Sequence, residues 1–331
     1  MSRVRAKVNQ FSAARDDFRS GHRVTAVLAV LSWVMYVVAA GLASYCVFAV
    51  LNNDRIVRST ADMHTKSQSA WPESRKKDTL AKAIEYNDNV SNHFGGAIPG
   101  DALDNNGQPI EANDAGYLST MNDGQGIIGT VIIPSISIEV PIYHTTLETA
   151  LNEGAGHIYG TAFPIGQNNT SSAIAAHSGG VQGLLFSRLS ELKKGGFFYI
   201  NVLGSRQGYV VDRVETVKPE EVGVYLKEEA ETASKSNTKD GVVPLPNDGG
   251  SARVTLMTCT PIGVNSHRLM VSGTRSGVPN PVPEPETIKD NRMEAFMWAC
   301  LVFSVLIVLA VVWKLSRVFH TKGAKSGRHG K

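Results

Sequence analysis

Two charge-free apolar runs bracket this chain. Residues 24–53 carry no charge and are largely apolar from Val24 to Leu51, longer than the roughly 20 residues that a bilayer core requires. Residues 295–313 form a second charge-free run of 19 residues. At about 1.5 Å per residue, a helix over it reaches roughly 28 Å, enough to cross. The runs predict transmembrane helices at 24–51 and 295–313, with a domain held between them. Residues 1–23 hold Arg3, Arg5, Lys7, Arg15, Arg19 and Arg23 against Asp16 and Asp17, and residues 314–331 hold six more bases and no acid. Basic flanks stay cytoplasmic, so both tails are expected inside and the middle outside the cell membrane. The first run is too long for a typical signal-peptide core, and no clear small-x-small cleavage site follows it, so it is expected to remain as an anchor. Leu42-Ala43-Ser44-Tyr45-Cys46 only approximates a lipid-attachment site, because Tyr45 intervenes before the cysteine.

The formal charge of +3 misleads until it is divided. Of 33 basic and 30 acidic residues, the tails hold 12 and 2, which leaves 21 basic and 28 acidic over residues 24–313, net −7. An acidic outer portion gives no footing for nucleic acid, and the basic tails are accounted for as topology signals.

Between the runs the texture changes twice. Residues 52–125 are polar, with a predicted helix over 73–90 in which Leu80 and Ile84 are four apart. The stretch 98–126 is rich in Gly, Asn and Asp and reads as a long loop, of the kind that is either functional, such as a lid, or disordered. From Ile127 to about residue 277, short β-prone runs alternate with turn residues, at 127–133, 138–143, 172–176, 197–202, 209–217, 253–258 and 268–272. Helices are expected at 183–193 and 220–233, and a polar loop at 234–250. Many short strands with Gly, Pro and Asn between them predict a closed or sandwiched all-β domain at 126–277. Pro279, Pro281, Pro283 and Pro285 make residues 278–294 an extended stalk.

Cys259 is the only cysteine between the two runs; Cys46 and Cys300 lie inside them. A lone thiol outside the membrane is either a small buried hydrophobe or a reactive group. It closes a predicted strand, Pro261, Gly263 and Asn265 make a turn, and the next strand begins at Arg268. An antiparallel return brings Arg268 back toward Cys259. A thiol beside a fixed guanidinium suits acyl transfer, because the guanidinium can hydrogen-bond a developing oxyanion. A base is also needed, and six histidines are available: His64, His93, His144, His157, His177 and His267. His177 ends the run Ser172-Ala173-Ile174-Ala175-Ala176 and precedes Ser178-Gly179-Gly180, an accessible position. His157, in Gly154-Ala155-Gly156-His157, reads as a packed histidine, and His267, next to Arg268, as structural. Taken alone, these residues leave a cysteine enzyme and a non-catalytic β domain both open.

Thr255-Leu256-Met257-Thr258-Cys259 followed by Arg268 resembles the TLxTC…R signature of sortases, the membrane-anchored cysteine transpeptidases of Gram-positive surfaces. Residues 254–273 (VTLMTCTPIGVNSHRLMVSG), 132–143 (IIPSISIEVPIY) and 154–164 (GAGHIYGTAFP) are similar to the class C, pilin-polymerising form. Ala176-His177-Ser178-Gly179 stands where that family has its catalytic histidine. The resemblance covers roughly residues 75–275 and implies a closed barrel of about eight strands with short helices. It implies Cys259 as nucleophile, His177 as general acid/base, Arg268 as stabiliser of substrate and oxyanion, and Thr258 lining the site. It further implies an LPxTG-like sorting signal, pilin subunits or other surface proteins as partners, and neither cofactor nor metal. A housekeeping sortase that attaches proteins to cell-wall precursor is the alternative. A papain-like protease is disfavoured, because its cysteine lies near the start of the mature domain in a Cys-Gly-Ser-Cys-Trp-like setting. The chain departs from the family in three places. Ala176 and Ser178 replace the usual Gly and Arg around the histidine, Ile262 replaces the usual Tyr after Thr-Pro, and residues 90–125 hold no Asp-Pro-aromatic lid motif.

Overall fold

The computed structural model describes residues 2–93, 110–179, 184–235, 252–279, 298–310 and 313. It divides into two compact units, one of residues 1–48 with 291–331 and one of residues 49–290. Helix α1 (Ser2–Ser69) starts in the first unit. Its described part from Val30 is long and apolar enough to cross a membrane. Leu31, Val34, Val38 and Leu42 are exposed there, as expected of a helix that is apolar on all sides. A shorter apolar helix, Trp298–Ala310, covers part of the second predicted span. Residues 94–109, which include the first part of the 98–126 loop, most of the 234–250 loop, the stalk from residue 280 and the basic tail from residue 314 lie outside the described residues.

In the second unit the last turns of α1 change character. Val57, Ala61, His64 and Gln68 recur at steps of three and four and are all buried, which makes one helical face. That face is tied down by Thr65 Oγ1 donating to Thr130 Oγ1 (3.2 Å), by the Leu203 amide donating to Gln68 Oε1 (2.8 Å) and by Arg58 donating to the Ser137 carbonyl. Helix α2 (Glu73–His93) follows and contains the predicted helix.

Eight strands close a barrel, as expected: β1 (Ile127–Ile133), β2 (Ile138–Tyr143), β3 (Ala155–His157), β4 (Ser171–Ala176), β5 (Phe197–Val202), β6 (Ser205–Val217), β7 (Arg253–Thr260) and β8 (His267–Ser276). Their order around the barrel is β1-β2-β3-β4-β7-β8-β6-β5, with β5 pairing back to β1. Every pairing is antiparallel except β2 with β3 and β4 with β7. Seven strands match predicted runs, with β6, β7 and β8 longer than expected. The eighth, β3, has three residues including a glycine, too few to show a period of two. A Cβ on Gly156 would run into the Thr145 carbonyl, so the close approach of this strand to its neighbour needs glycine. Helix α3 (Ala115–Ser119) precedes β1, and α4 (Glu148–Leu151) lies between β2 and β3. The predicted C-terminal helix is a 3₁₀ turn at Pro219–Glu221 running into α5 (Val222–Lys235).

The predicted helix at 183–193 does not form. Its described part is a turn ending in a 3₁₀ segment, Leu189–Glu191. The Phe186 amide donates to the His177 carbonyl (3.0 Å) instead of continuing a helical ladder, and Leu185 has a φ of 36°. Leu185, Phe186, Leu189 and Leu192 are all buried in the barrel core, so packing overrides the helical spacing.

Buried imidazoles fasten the segment before β1. His157 is fully buried, with Nδ1 2.8 Å from the Tyr117 hydroxyl and Nε2 2.9 Å from the Ala162 carbonyl. Tyr117 also donates to the His144 carbonyl. Burial pushes the His157 pKa down to about 4, and burial lowers that of His144 as well. An imidazole titrates near 6.5 in the unfolded chain, so its stabilising neutral form is fully present above that pH and is lost as pH falls through about 4. Thermal melts should therefore show stability dropping between about pH 6.5 and 4, with His157 accounting for on the order of 3 kcal/mol. A His157→Gln variant should be less stable at neutral pH and should show a flatter acid profile.

Candidate active site

The parallel pairing of β4 with β7 sets the site. Ala175 pairs with Met257. One residue further on, the Thr258 hydroxyl donates to the Ala176 carbonyl at 2.8 Å. The next step brings His177, just past the end of β4, level with Cys259. On the other side of β7, Cys259 pairs with Arg268 of β8. Neighbouring strands lie about 4.8 Å apart, so one rim of the barrel carries His177, Cys259 and Arg268 in that order.

Each side chain is left available by its surroundings. Cys259 is a free, partly buried thiol. Arg268 Nη1 donates to the carbonyls of Asn265 (3.1 Å) and His267 (3.2 Å), and no carboxylate pairs with it among the described residues. Its head is thus oriented by the β7–β8 turn without losing its charge to an acid. That turn is built from Gly263 and Asn265 at φ of 81° and 58°, and it exposes Ile262 and Val264. His177 has 28% of its side chain exposed, and its Nε2 lies 3.5 Å from Glu148 Oε1 on α4.

Thr258 is buried, and its hydroxyl is taken by the Ala176 carbonyl. Successive strand residues point to opposite faces, so it fastens the two strand ends behind the rim. The other described histidine rings are engaged by other partners. His64 bonds Asp123 (2.7 Å), His144 bonds the Thr120 carbonyl (2.6 Å), His157 is in the core, and His267 bonds Ser266 (2.9 Å). No group of three or more His, Cys, Asp or Glu among the described residues could hold a metal ion. A cavity of about 310 Å³ opens between α3 and α4, lined in part by Leu118, Tyr143, His144 and Glu153 and by none of the rim residues.

Sequence reasoning did not single out Glu148. Nothing in Thr146-Leu147-Glu148-Thr149 distinguishes it from the other acids. Its place beside His177 arises only when the β2–β3 connection folds against the end of β4.

The arrangement supports acyl transfer: a nucleophilic thiol, an imidazole on one side to carry a proton, and an unneutralised guanidinium on the other to stabilise an oxyanion. Residues 131–276 match the family model described as the Sortase domain. The structure is similar to sortase C-1 from Actinomyces oris, with 34% identity and a TM-score of 0.50 over 62% of this chain and 99% of that one. It is also similar to sortase C1 from Streptococcus agalactiae, with 28% identity and a TM-score of 0.51 over 66% and 98%. Among curated proteins, Sortase A of Bacillus anthracis is 29% identical over 155 residues, covering 47% of this chain and 62% of that relative's length.

Proposed function

We propose, from the premise that the chain belongs to the sortase family of cysteine transpeptidases, that it is a membrane-anchored enzyme that polymerises pilins. The thiolate of Cys259 attacks the carbonyl carbon of the Thr–Gly bond in an LPxTG-like sorting signal. Arg268 hydrogen-bonds the oxygen as negative charge develops on it. The C–N bond breaks, His177 protonates the leaving amine, and a thioester remains on Cys259. A lysine ε-amine of the next pilin then attacks the thioester and gives up a proton to His177, and an isopeptide bond forms as the thiolate leaves. One amide is exchanged for another, so the cycle needs no nucleotide.

The observation that supports this reading is the pairing of Cys259 with Arg268 across β7 and β8, together with a β4–β7 register that runs through Ala175 and Met257 to the Thr258–Ala176 hydrogen bond, one residue before His177. The class C likeness supports pilins as substrates, through the two sortase C structures and the apolar helix after the barrel. The apolar runs and basic tails support a two-pass protein with both ends cytoplasmic and the barrel outside. The second reading is a housekeeping sortase that anchors surface proteins to cell-wall precursor. Incubating the full chain with purified pilin bearing an LPxTG-like signal separates the two. Pilus assembly gives a ladder of covalent multimers on a denaturing gel. A wall-anchoring enzyme gives none and joins the signal to a cell-wall amine.

A further inference from the structure

The imidazole on the rim has an acidic neighbour whose position makes its two nitrogens unequal. Glu148 opens α4, and its Oε1 lies 3.5 Å from Nε2 of His177. That Nε2 is closed to solvent and makes no hydrogen bond. The Glu148 side chain is 71% exposed and pairs with no other cation among the described residues. We propose that Glu148 is a positioning residue: it holds His177 in the tautomer with its proton on Nε2 and leaves Nδ1 as the atom that exchanges protons with the reacting groups.

Neutral imidazole carries one N–H, and an ionised carboxylate only accepts. A bare nitrogen lone pair facing a carboxylate oxygen is repelled, whereas an N–H there is attracted. The buried Nε2 can meet no water, so this contact decides the tautomer. A separation of 3.5 Å is long for a hydrogen bond, but a small rotation of the exposed glutamate shortens it. Catalytic contacts are often long until substrate binds. In the imidazolium the Nε2–H remains with Glu148, and the Nδ1–H is the proton given to the leaving amine. The same nitrogen recovers a proton from the incoming amine, so the cycle balances. An exposed pair of this kind adds little to stability; its consequence is which nitrogen works.

The proposal rests on the acyl-transfer reading for its role in catalysis, but its test does not. With histidine labelled in both ring nitrogens, ¹⁵N NMR of the full chain in detergent reads the tautomer of neutral His177 directly. The wild type should carry its proton on Nε2. Glu148→Ala should shift the ring toward a mixture and lower kcat about fivefold with KM unchanged. Glu148→Gln, which keeps an acceptor oxygen, should restore the Nε2–H form and part of the rate. A proton on Nδ1 in the wild type, or a Glu148→Ala variant with unaltered tautomer, would overturn the proposal. An intact Nε2–H form in a chain that transfers no acyl group would sink the functional reading and leave this assignment standing.

Discussion

Replacing Cys259 with alanine abolishes acyl transfer while leaving the barrel folded. Under the proposed reaction the Cys259 thiol is the attacking group, with Arg268 paired to it across β7 and β8, and no other described cysteine belongs to the barrel, since Cys46 and Cys300 lie in the apolar helices. The neighbouring Thr258 hydroxyl does not stand in for it, because it is buried and bonded to the Ala176 carbonyl. Removing one sulfur from a half-buried strand end costs little packing, because the core is built from residues on the other face such as Val254 and Leu256. Turnover of a sorting-signal peptide should fall to the uncatalysed background, and the melting temperature should move by no more than a few degrees. Product formation by Cys259→Ala at anything near the wild-type rate would mean that the nucleophile lies elsewhere.

His177→Ala follows in size. General acid–base catalysis contributes about 10²–10⁴-fold, and without it the leaving amine departs unprotonated while the incoming amine keeps its proton. Both half-reactions suffer, so neither hydrolysis nor transpeptidation should be spared. The fold should survive, because the structural hydrogen bond at this position is donated by the Phe186 amide to the His177 backbone carbonyl and does not involve the ring. Kinetics with a quenched peptide and with a peptide amine acceptor check both halves. A loss of less than about tenfold in both would remove His177 from the role of acid and base.

The all-β class was legible because the runs 127–133, 138–143 and 197–202 keep strand-forming residues between strong turn signals. The return from Cys259 to Arg268 was legible for the same reason: one short turn joins two strands, so their pairing is local. His177 is different. Its approach to Cys259 depends on the parallel pairing of β4 with β7, strands separated by β5, β6 and α5 in the chain. No spacing rule reports such a pairing, and here only the resemblance to a known signature pointed to it. Glu148 was invisible for a related reason, since its neighbour is set by a loop folding back on a strand end. The failed helix at 183–193 shows the opposite error. Its leucines and phenylalanine are spaced for a helix, yet Leu185, Phe186, Leu189 and Leu192 face the core from a turn held by the backbone bond of Phe186 to His177.

Intact-mass analysis of the full chain after brief exposure to an LPxTG-like peptide examines the thioester itself. An adduct of the peptide's acyl portion should appear, map to Cys259, and be released by hydroxylamine. The same adduct on Cys259→Ala, or a wild-type adduct mapped to any other residue, would contradict the reaction derived from this rim.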